Sequence, residues 1–166
     1  MTRTRKQVGR YSKQKGKIYE RHVCEVLNKW ADEDAFSRHW SGRNEAPELG
    51  DVLRPKWFEP TIECRKREGW SMEASLRADW IVRQWYTQLK EKARGGLMLL
   101  VFSRNGQPDF LMWGADEARW MAETIEMRMP DRVLMAIPEE RSMALRMCLL
   151  KDWLACTEPK EMGRDV

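Results

Sequence analysis

An uninterrupted apolar run in the second half of the chain constrains the fold most strongly. Residues 97–103 read Leu-Met-Leu-Leu-Val-Phe-Ser, and the turn pair Asn105-Gly106 follows closely. A run of this length without polar alternation is typical of a strand that is covered on both faces, and Asn-Gly is a strong hairpin signal. Residues 110–113 should pair back onto it. A sheet of this kind needs helices on each side.

The rest of the chain supplies those helices and further strands. Apolar residues at three- and four-residue steps predict an amphipathic helix over 17–30, and Ser71 is the expected N-cap of a long helix that ends near Ala93. We expect further strands at 51–53, 57–64 and 133–137, and further helices at 115–129 and 139–156. The order predicts an α/β fold with a mixed sheet.

Charge is concentrated at the amino terminus. Residues 1–30 carry nine Lys or Arg against two Glu, whereas the remaining residues are net −3, so the overall charge of +4 comes from one end. We therefore predict a flexible basic arm at 1–16, a single folded domain at 17–156 and a frayed tail at 157–166. The arm should bind nucleic-acid phosphates, although a tail that merely aids solubility is the alternative. Its candidate contacts are Arg3, Arg5, Lys6, Arg10, Lys13, Lys15 and Lys17.

Several functional classes are disfavoured. The Gly-rich phosphate loops of ATPases and dinucleotide enzymes are missing, so no nucleotide cofactor is expected. The longest apolar stretch is far below the roughly 20 residues of a membrane-spanning helix, and no membrane partner is expected. The four cysteines form no C-x-x-C pair, which favours reduced thiols and a cytoplasmic location, the host cytoplasm if the chain is encoded by a phage.

Three acidic residues form a candidate metal site. Asp51 and Glu63 lie on two predicted adjoining strands, and Glu20 lies on the first helix. Converging carboxylates provide the hard oxygen ligands that Mg²⁺ prefers, and such an ion can activate water for phosphodiester hydrolysis. Arg65 and Lys66 are placed to offset charge in the transition state. The alternative is an ordinary solvated ion pair on a strand.

At this point the residues resemble a known family. Lys15-Gly16-Lys17 with Glu20, then Gly50-Asp51-Val52, then Ile62-Glu63-Cys64-Arg65-Lys66 resemble the PD-(D/E)XK nucleases, especially archaeal-type Holliday-junction resolvases and their phage relatives. The resemblance covers roughly residues 15–105. It implies a restriction-endonuclease-like fold, a mixed central sheet flanked by helices. It also implies Mg²⁺ or Mn²⁺ bound by Glu20, Asp51 and Glu63.

One position departs from that family pattern. A lysine is expected two residues after the glutamate, and this chain has Arg65 there. Arginine stays protonated and cannot act as a general base, but it can stabilise charge or position water. Lys66 is a candidate replacement, although on a regular strand it would point to the opposite face unless a bulge re-aimed it.

These observations lead to a functional hypothesis with alternatives. The leading one is a Mg²⁺-dependent endonuclease that cuts branched double-stranded DNA such as four-way junctions, as a homodimer because paired cuts call for two sites. A flap, nicking or mismatch endonuclease, a non-catalytic binder of branched DNA, and an interaction module without DNA binding are the alternatives. Arg67 and Trp70 are further candidate nucleic-acid contacts, although for Trp70 a core position is the favoured interpretation.

Overall fold

A seven-stranded sheet with helices on both faces organises the chain. The computed structural model describes residues 5–39, 50–76, 80–124, 135–137 and 145–158. The helices are α1 (Arg5–Ala31), α2 (Ile81–Lys92), α3 (Ala115–Thr124) and α4 (Leu150–Ala155), with a 3₁₀ turn at Glu73–Leu76. The strands are β1 (Ser37–Arg38), β2 (Val52–Leu53), β3 (Thr61–Lys66), β4 (Met98–Ser103), β5 (Phe110–Trp113), β6 (Met135–Ile137) and β7 (Leu145–Leu149).

The sheet is mixed, as predicted. Its strand order is β1-β2-β3-β4-β5-β7-β6, and β3 and β4 pair in parallel while the other neighbouring strands pair antiparallel. All six residues of β4 are buried, which confirms a strand covered on both faces. The hairpin to β5 is also confirmed, and Gly106 adopts a φ of +71° in its turn. The architecture is restriction-endonuclease-like.

Alternation along β3 and β4 divides the core into two clusters. Ile62 and Cys64 of β3 point toward α1 and pack with Val23 and Leu27, in the cluster that also contains Trp153. Leu100 and Phe102 of β4 belong to the opposite cluster, together with the buried residues of α2. Successive side chains point to opposite faces, so β4 contributes to both clusters, whereas β3 contributes apolar side chains to the first cluster. We call the side of the sheet that α1 covers the α1 face and the side that α2 covers the α2 face.

The amino-terminal segment differs from its prediction. α1 begins at Arg5 and runs without interruption to Ala31, so the prediction of a flexible arm is wrong for residues 5–16. The high positive charge and two glycines favour a disordered arm, because glycine disfavours a helix interior. The helix nevertheless forms, and its Lys15 reaches the rest of the domain through an ion pair with Glu68, just beyond β3. Arg3 lies outside the described residues.

Two predicted helices are also corrected. The predicted helix from Ser71 begins only at Ile81, because Trp80 is extended (φ −58°, ψ 121°) and its buried indole donates to the Ser71 carbonyl oxygen. The predicted helix over 139–156 contains strand β7 at its centre and is helical only from Leu150. The apolar residues of β7 complete the sheet between β5 and β6, a long-range pairing that overrides local helical preference. Residues 139–144 lie outside the described part.

The predicted frayed tail is packed where it is described. Thr157 is buried, its hydroxyl donates to the Trp153 carbonyl oxygen at 3.0 Å, and its own carbonyl oxygen accepts from the Trp30 indole at 2.8 Å. The prediction of fraying is therefore wrong at residue 157, and residues 159–166 lie outside the described part. Within the described ranges, no helix is long and apolar enough to cross a membrane.

Candidate active site

Asp51 is fixed against β3 by a glycine. Gly50 has a φ of +70°, and a Cβ there would lie 2.5 Å from the Ile62 carbonyl oxygen. This close approach allows the Asp51 N–H to donate to the same oxygen at 2.9 Å. The Asp51 carboxylate then accepts from the Cys64 N–H, also at 2.9 Å. Only glycine combines this dihedral angle with such close packing, so the Gly-Asp pair aims the carboxylate at β3.

The Arg65 guanidinium links the two strand carboxylates. Its Nη2 lies 2.5 Å from Glu63 Oε1, and its Nη1 lies 3.5 Å from Asp51 Oδ2. Nη1 also donates to the Cys64 carbonyl oxygen at 3.1 Å. Glu63 and Arg65 share a face because they are two residues apart on a regular strand. The structure thus brings together the two acidic residues that the sequence analysis placed on adjoining strands.

Glu20 of α1 also interacts electrostatically with Asp51. Burial raises the pKa of Glu20, and the negative charge of Asp51 raises it further, although Arg38 opposes the shift from a distance of 3.4 Å. Burial and Asp51 likewise raise the pKa of Glu63, against the opposing effect of Arg65. Both carboxyl groups therefore sense Asp51 as a near negative charge. Asp51 is thus close enough to Glu20 and to Glu63 for its charge to act on both.

The donor set fits a hard cation only after rearrangement. In the described part of the chain, no three His, Cys, Asp or Glu side chains are grouped closely enough to hold one metal ion as they stand. Glu20 is paired with Arg38, whereas Asp51 and Glu63 are paired with Arg65. Burial, and after it the charge of Asp51, raises the pKa of both glutamates despite these arginines. Once the arginines release them, the three carboxylates would provide the hard oxygen ligands that Mg²⁺ or Mn²⁺ prefers.

A groove with basic walls lies over this group. It has a volume of about 640 Å³ and is bordered by α1, the end of β3 and α2. Arg65 lines it, whereas Asp51 and Glu63 do not. Of the predicted nucleic-acid contacts, Lys13, Lys15 and Arg67 also line the groove, and Lys17 is exposed on α1. Arg5, Lys6 and Arg10 lie on the first turns of the same helix.

Lys66 points to the α1 face. The register of β3 against β4 is regular through Lys66 and Ser103, so no bulge re-aims the side chain. Its Nζ donates to Ser103 Oγ at 3.1 Å and lies 4.9 Å from the centre of the Tyr19 ring. Arg65, and not Lys66, contacts the carboxylates.

Trp70 is a core residue. Its side chain is buried and packs edge-on against Phe102 and Phe110, with ring centroids 5.1 and 5.6 Å apart. The suggestion that it stacks on an exposed base is therefore wrong. The Arg104 guanidinium lies 5.5 Å from the centre of the Trp70 ring and donates to the Trp70 carbonyl oxygen, so it covers the indole further.

Arg38 and Trp85 were not identified from the sequence. Arg38 reaches Glu20 because β1 pairs with β2, with Arg38 opposite Val52. Trp85 lines the groove from α2 beside Gln88. Two-residue strands such as β1 leave almost no periodic signal. Arg38 also lies far from the Gly50-Asp51 pair along the chain, so no short-range spacing links it to the site.

The sheet and the Asp-Glu-x-Arg constellation define a nuclease of the PD-(D/E)XK class. Residues 11–162 match the family described as "Phage putative PDDEXK endonuclease", and the chain belongs to that family. The match includes Glu20, Asp51, Glu63 and Arg65 within its bounds. Neither the curated proteins nor the solved structures contain a significant match to this chain.

Proposed function

We propose that this nuclease is a divalent-metal-dependent endonuclease that hydrolyses phosphodiester bonds in branched double-stranded DNA. The observation that carries the proposal is the position of Asp51 next to Arg65, beside a basic groove that Glu20 and Arg65 line. Burial, and after it the charge of Asp51, raises the pKa of both Glu20 and Glu63. A group of carboxylates is otherwise unfavourable next to a polyanion. It becomes useful when a cation neutralises it and bridges it to phosphate.

Glu20, Asp51 and Glu63 would hold the cation. When bound, Mg²⁺ or Mn²⁺ supplies a Lewis acid and a water of lowered pKa. The backbone fixes Asp51 firmly through the Cys64 N–H, so this carboxylate is the pivot of the set. Glu20 and Glu63 sit in partly desolvated positions, where the attraction to a cation is strengthened.

Arg65 is proposed as the residue that stabilises charge on the phosphate. Its guanidinium lines the groove and remains protonated, so it offers donors to a phosphate oxygen but accepts no proton. The phosphate competes with Glu63 and Asp51 for this guanidinium. Binding of substrate and cation together would release Arg65 from the carboxylates toward the phosphate.

Different observations support the proposed DNA substrate and the proposed oligomeric state. The basic side chains of α1 and Arg67 flank the groove and complement phosphates. The preference for junctions rests on the resemblance to resolvases, and the homodimer rests on the need for two sites when two strands are cut symmetrically. Flap, nicking and mismatch cleavage are compatible with the same groove.

One observation favours a second candidate function. Arg65 neutralises part of the site where a cation would bind, with its Nη2 only 2.5 Å from Glu63. If Arg65 stays in place on DNA, the protein is a non-catalytic binder of branched DNA. The two functions differ in their dependence on the metal, since a binder responds to Mg²⁺ only through ordinary salt effects.

The test is a cleavage assay on three substrates. Purified protein is incubated with a four-way junction, a matched linear duplex and single strands, in Mg²⁺, Mn²⁺ or EDTA. Asp51→Asn preserves the size of the side chain and an oxygen for the Cys64 N–H, and Asp34→Asn is the control at an exposed aspartate beyond α1. We expect paired nicks at the junction that are lost in EDTA and at least about 100-fold slower in Asp51→Asn.

The other outcomes separate the candidates. Cleavage of all three substrates would mean a general nuclease and would contradict branch selectivity. Salt-sensitive junction binding without cleavage in either metal would support the non-catalytic binder. Unchanged cleavage by Asp51→Asn would refute the proposed site.

A further inference from the structure

A second cavity lies beside the catalytic groove, on the α1 face. Its volume is about 530 Å³, within the range of about 300–1,000 Å³ that small-ligand sites occupy. We call it the α1 pocket. Its walls include Tyr11, Ile18 and Tyr19 on one side and Lys66 and Asn105 on the other, and Lys15 lies between the pocket and the groove.

The helix wall of the α1 pocket carries exposed apolar side chains among polar ones. Tyr11 is 54% exposed and Ile18 is 58% exposed, although large apolar side chains usually contribute to a core. They lie seven residues apart, two helical turns, and therefore on the same stripe of α1. This stripe does not face the sheet core, which Val23 and Leu27 contact. An aromatic ring and an aliphatic side chain thus form an open platform.

The opposite wall carries a positive charge that is not paired with an acid. Lys66 contacts the Ser103 hydroxyl and the face of the Tyr19 ring, which are both neutral. By contrast, Lys15 is paired with Glu68, and His22 Nε2 lies 2.8 Å from Asp109 Oδ2. The described residues place no carboxylate within ion-pair distance of Lys66. A phosphate group is the complementary ligand for this ammonium.

The α1 pocket is continuous with the catalytic groove. Tyr11, Lys15 and Lys66 line both cavities. A DNA strand that follows the groove therefore passes the mouth of the pocket. Proteins that hold unpaired strands combine a basic groove with aromatic side chains on which bases stack. A paired base is stacked inside its duplex and cannot enter such a pocket without being extruded.

We propose that the α1 pocket binds one unpaired nucleotide of the DNA strand, with its base against Tyr11 and Ile18 and a phosphate at Lys66. This inference rests on the proposed function, because the nucleotide belongs to the same substrate that enters the groove. It narrows the substrate class to DNA that offers an unpaired nucleotide near the cleavage site. It also gives Lys66 a role in recognition on the face of β3 opposite Glu63 and Arg65.

The test measures binding in EDTA by fluorescence anisotropy at fixed salt. Three DNAs are compared: a fully paired duplex, the same duplex with one extra unpaired nucleotide, and that duplex with an abasic site in place of the unpaired nucleotide. The abasic DNA keeps the phosphate and removes the base. We expect the wild-type protein to bind the unpaired nucleotide more tightly than the abasic site. Base stacking predicts a difference of about 5- to 150-fold.

Variants locate the effect. Tyr11→Ala should abolish the difference between the base and the abasic site, whereas Tyr11→Phe should retain it because the ring remains. Lys66→Gln should weaken binding of both DNAs relative to the control Lys29→Gln, an exposed lysine at the other end of α1. Circular dichroism checks that each variant keeps its helix content.

Three results would overturn the inference. Equal affinity of the wild-type protein for the base and the abasic site is the first. The second is an equal loss for both DNAs in Tyr11→Ala. The third is a change of oligomeric state in Tyr11→Ala by sedimentation, which would assign the platform to a second copy of the chain. Failure of the metal-dependent cleavage assay leaves these binding comparisons unaffected, so the two proposals fail separately.

Discussion

Glu63 and Glu117 are both buried glutamates on the α2 side of the molecule, yet their surroundings differ. Glu117 is fully buried and accepts four hydrogen bonds, from the Tyr86 hydroxyl, the Lys90 ammonium and the N–H groups of Met98 and Gly114, at 2.8–3.0 Å. Glu63 is 8% exposed and is contacted by Arg65, while the charge of Asp51 opposes its ionisation.

This comparison distinguishes a structural carboxylate from a functional one. Buried polar groups in proteins are normally hydrogen-bonded, and Glu117 meets that requirement while it joins α2, α3 and β4. Glu63 has few donors and a like-charged neighbour, an arrangement that costs stability unless a ligand relieves it. Incomplete compensation, and not burial itself, therefore marks the candidate site.

The largest expected effect is on folding. Glu117→Ala leaves the Lys90 ammonium, the Tyr86 hydroxyl and two N–H groups without their acceptor, so we expect the free energy of unfolding to fall by about 3–5 kcal/mol. Urea denaturation measures the loss, with Glu123→Ala, an exposed position on α3, as the control. An effect no larger than the control would mean that the Glu117 network is not structural.

The next effect is on catalysis. Arg65→Ala should lower the cleavage rate by about 100-fold, because the guanidinium no longer stabilises charge on the phosphate. Arg65→Lys, which restores the residue expected from the family pattern, should retain cleavage. Rates are measured at saturating metal, with Arg94→Ala beyond α2 as the control. If Arg65→Ala cleaves faster than the wild-type protein, Arg65 blocks the site instead of assisting it.

A smaller effect is expected within the structural network. Tyr86→Phe removes one of the four donors to Glu117 and leaves the ring in the core. The free energy of unfolding should fall by about 1–2 kcal/mol, since a hydrogen bond to a charged group is lost. Thermal and urea unfolding both report this change. Cleavage by the folded protein should stay at the wild-type rate, and a large loss of cleavage would break the distinction between the two glutamates.

The smallest expected effect is an increase, and not a decrease, in the free energy of unfolding. Because the pKa of Glu63 is raised in the folded state, its stabilising contribution is present at low pH and is lost as the pH rises through that raised pKa. Glu63→Gln removes this loss, so the variant should be about 0.5–1 kcal/mol more stable than the wild-type protein near neutral pH. The gain should vanish below the ordinary pKa of glutamate.

Urea unfolding in EDTA, at pH values from below the ordinary pKa of glutamate up to neutral, measures this difference in stability. A matched loss of cleavage in Glu63→Gln would show stability given up for function at this position. A variant that is less stable than the wild-type protein at neutral pH would mean that the Arg65 ion pair outweighs the cost of ionising Glu63.

The strand faces of the site residues could be predicted from local rules, but the residue that pairs with Glu20 could not. Strand alternation placed Glu63 and Arg65 on one face and Lys66 on the other, and the regular register of β3 and β4 agrees with it. The partner of Glu20 could not be predicted, because Arg38 reaches it through the two-residue pairing of β1 with β2. Short-range patterns contain no information on which distant strands become neighbours.

The sequence by itself determined the elements whose signal is local. The apolar run of β4 and its Asn105-Gly106 turn each fix a backbone conformation through neighbouring residues. Only the tertiary structure decided that residues 5–16 are helical, that β7 is a strand and that Trp70 is buried. Those outcomes depend on contacts between residues far apart in the chain, whose free energy exceeds the local preferences that sequence patterns report.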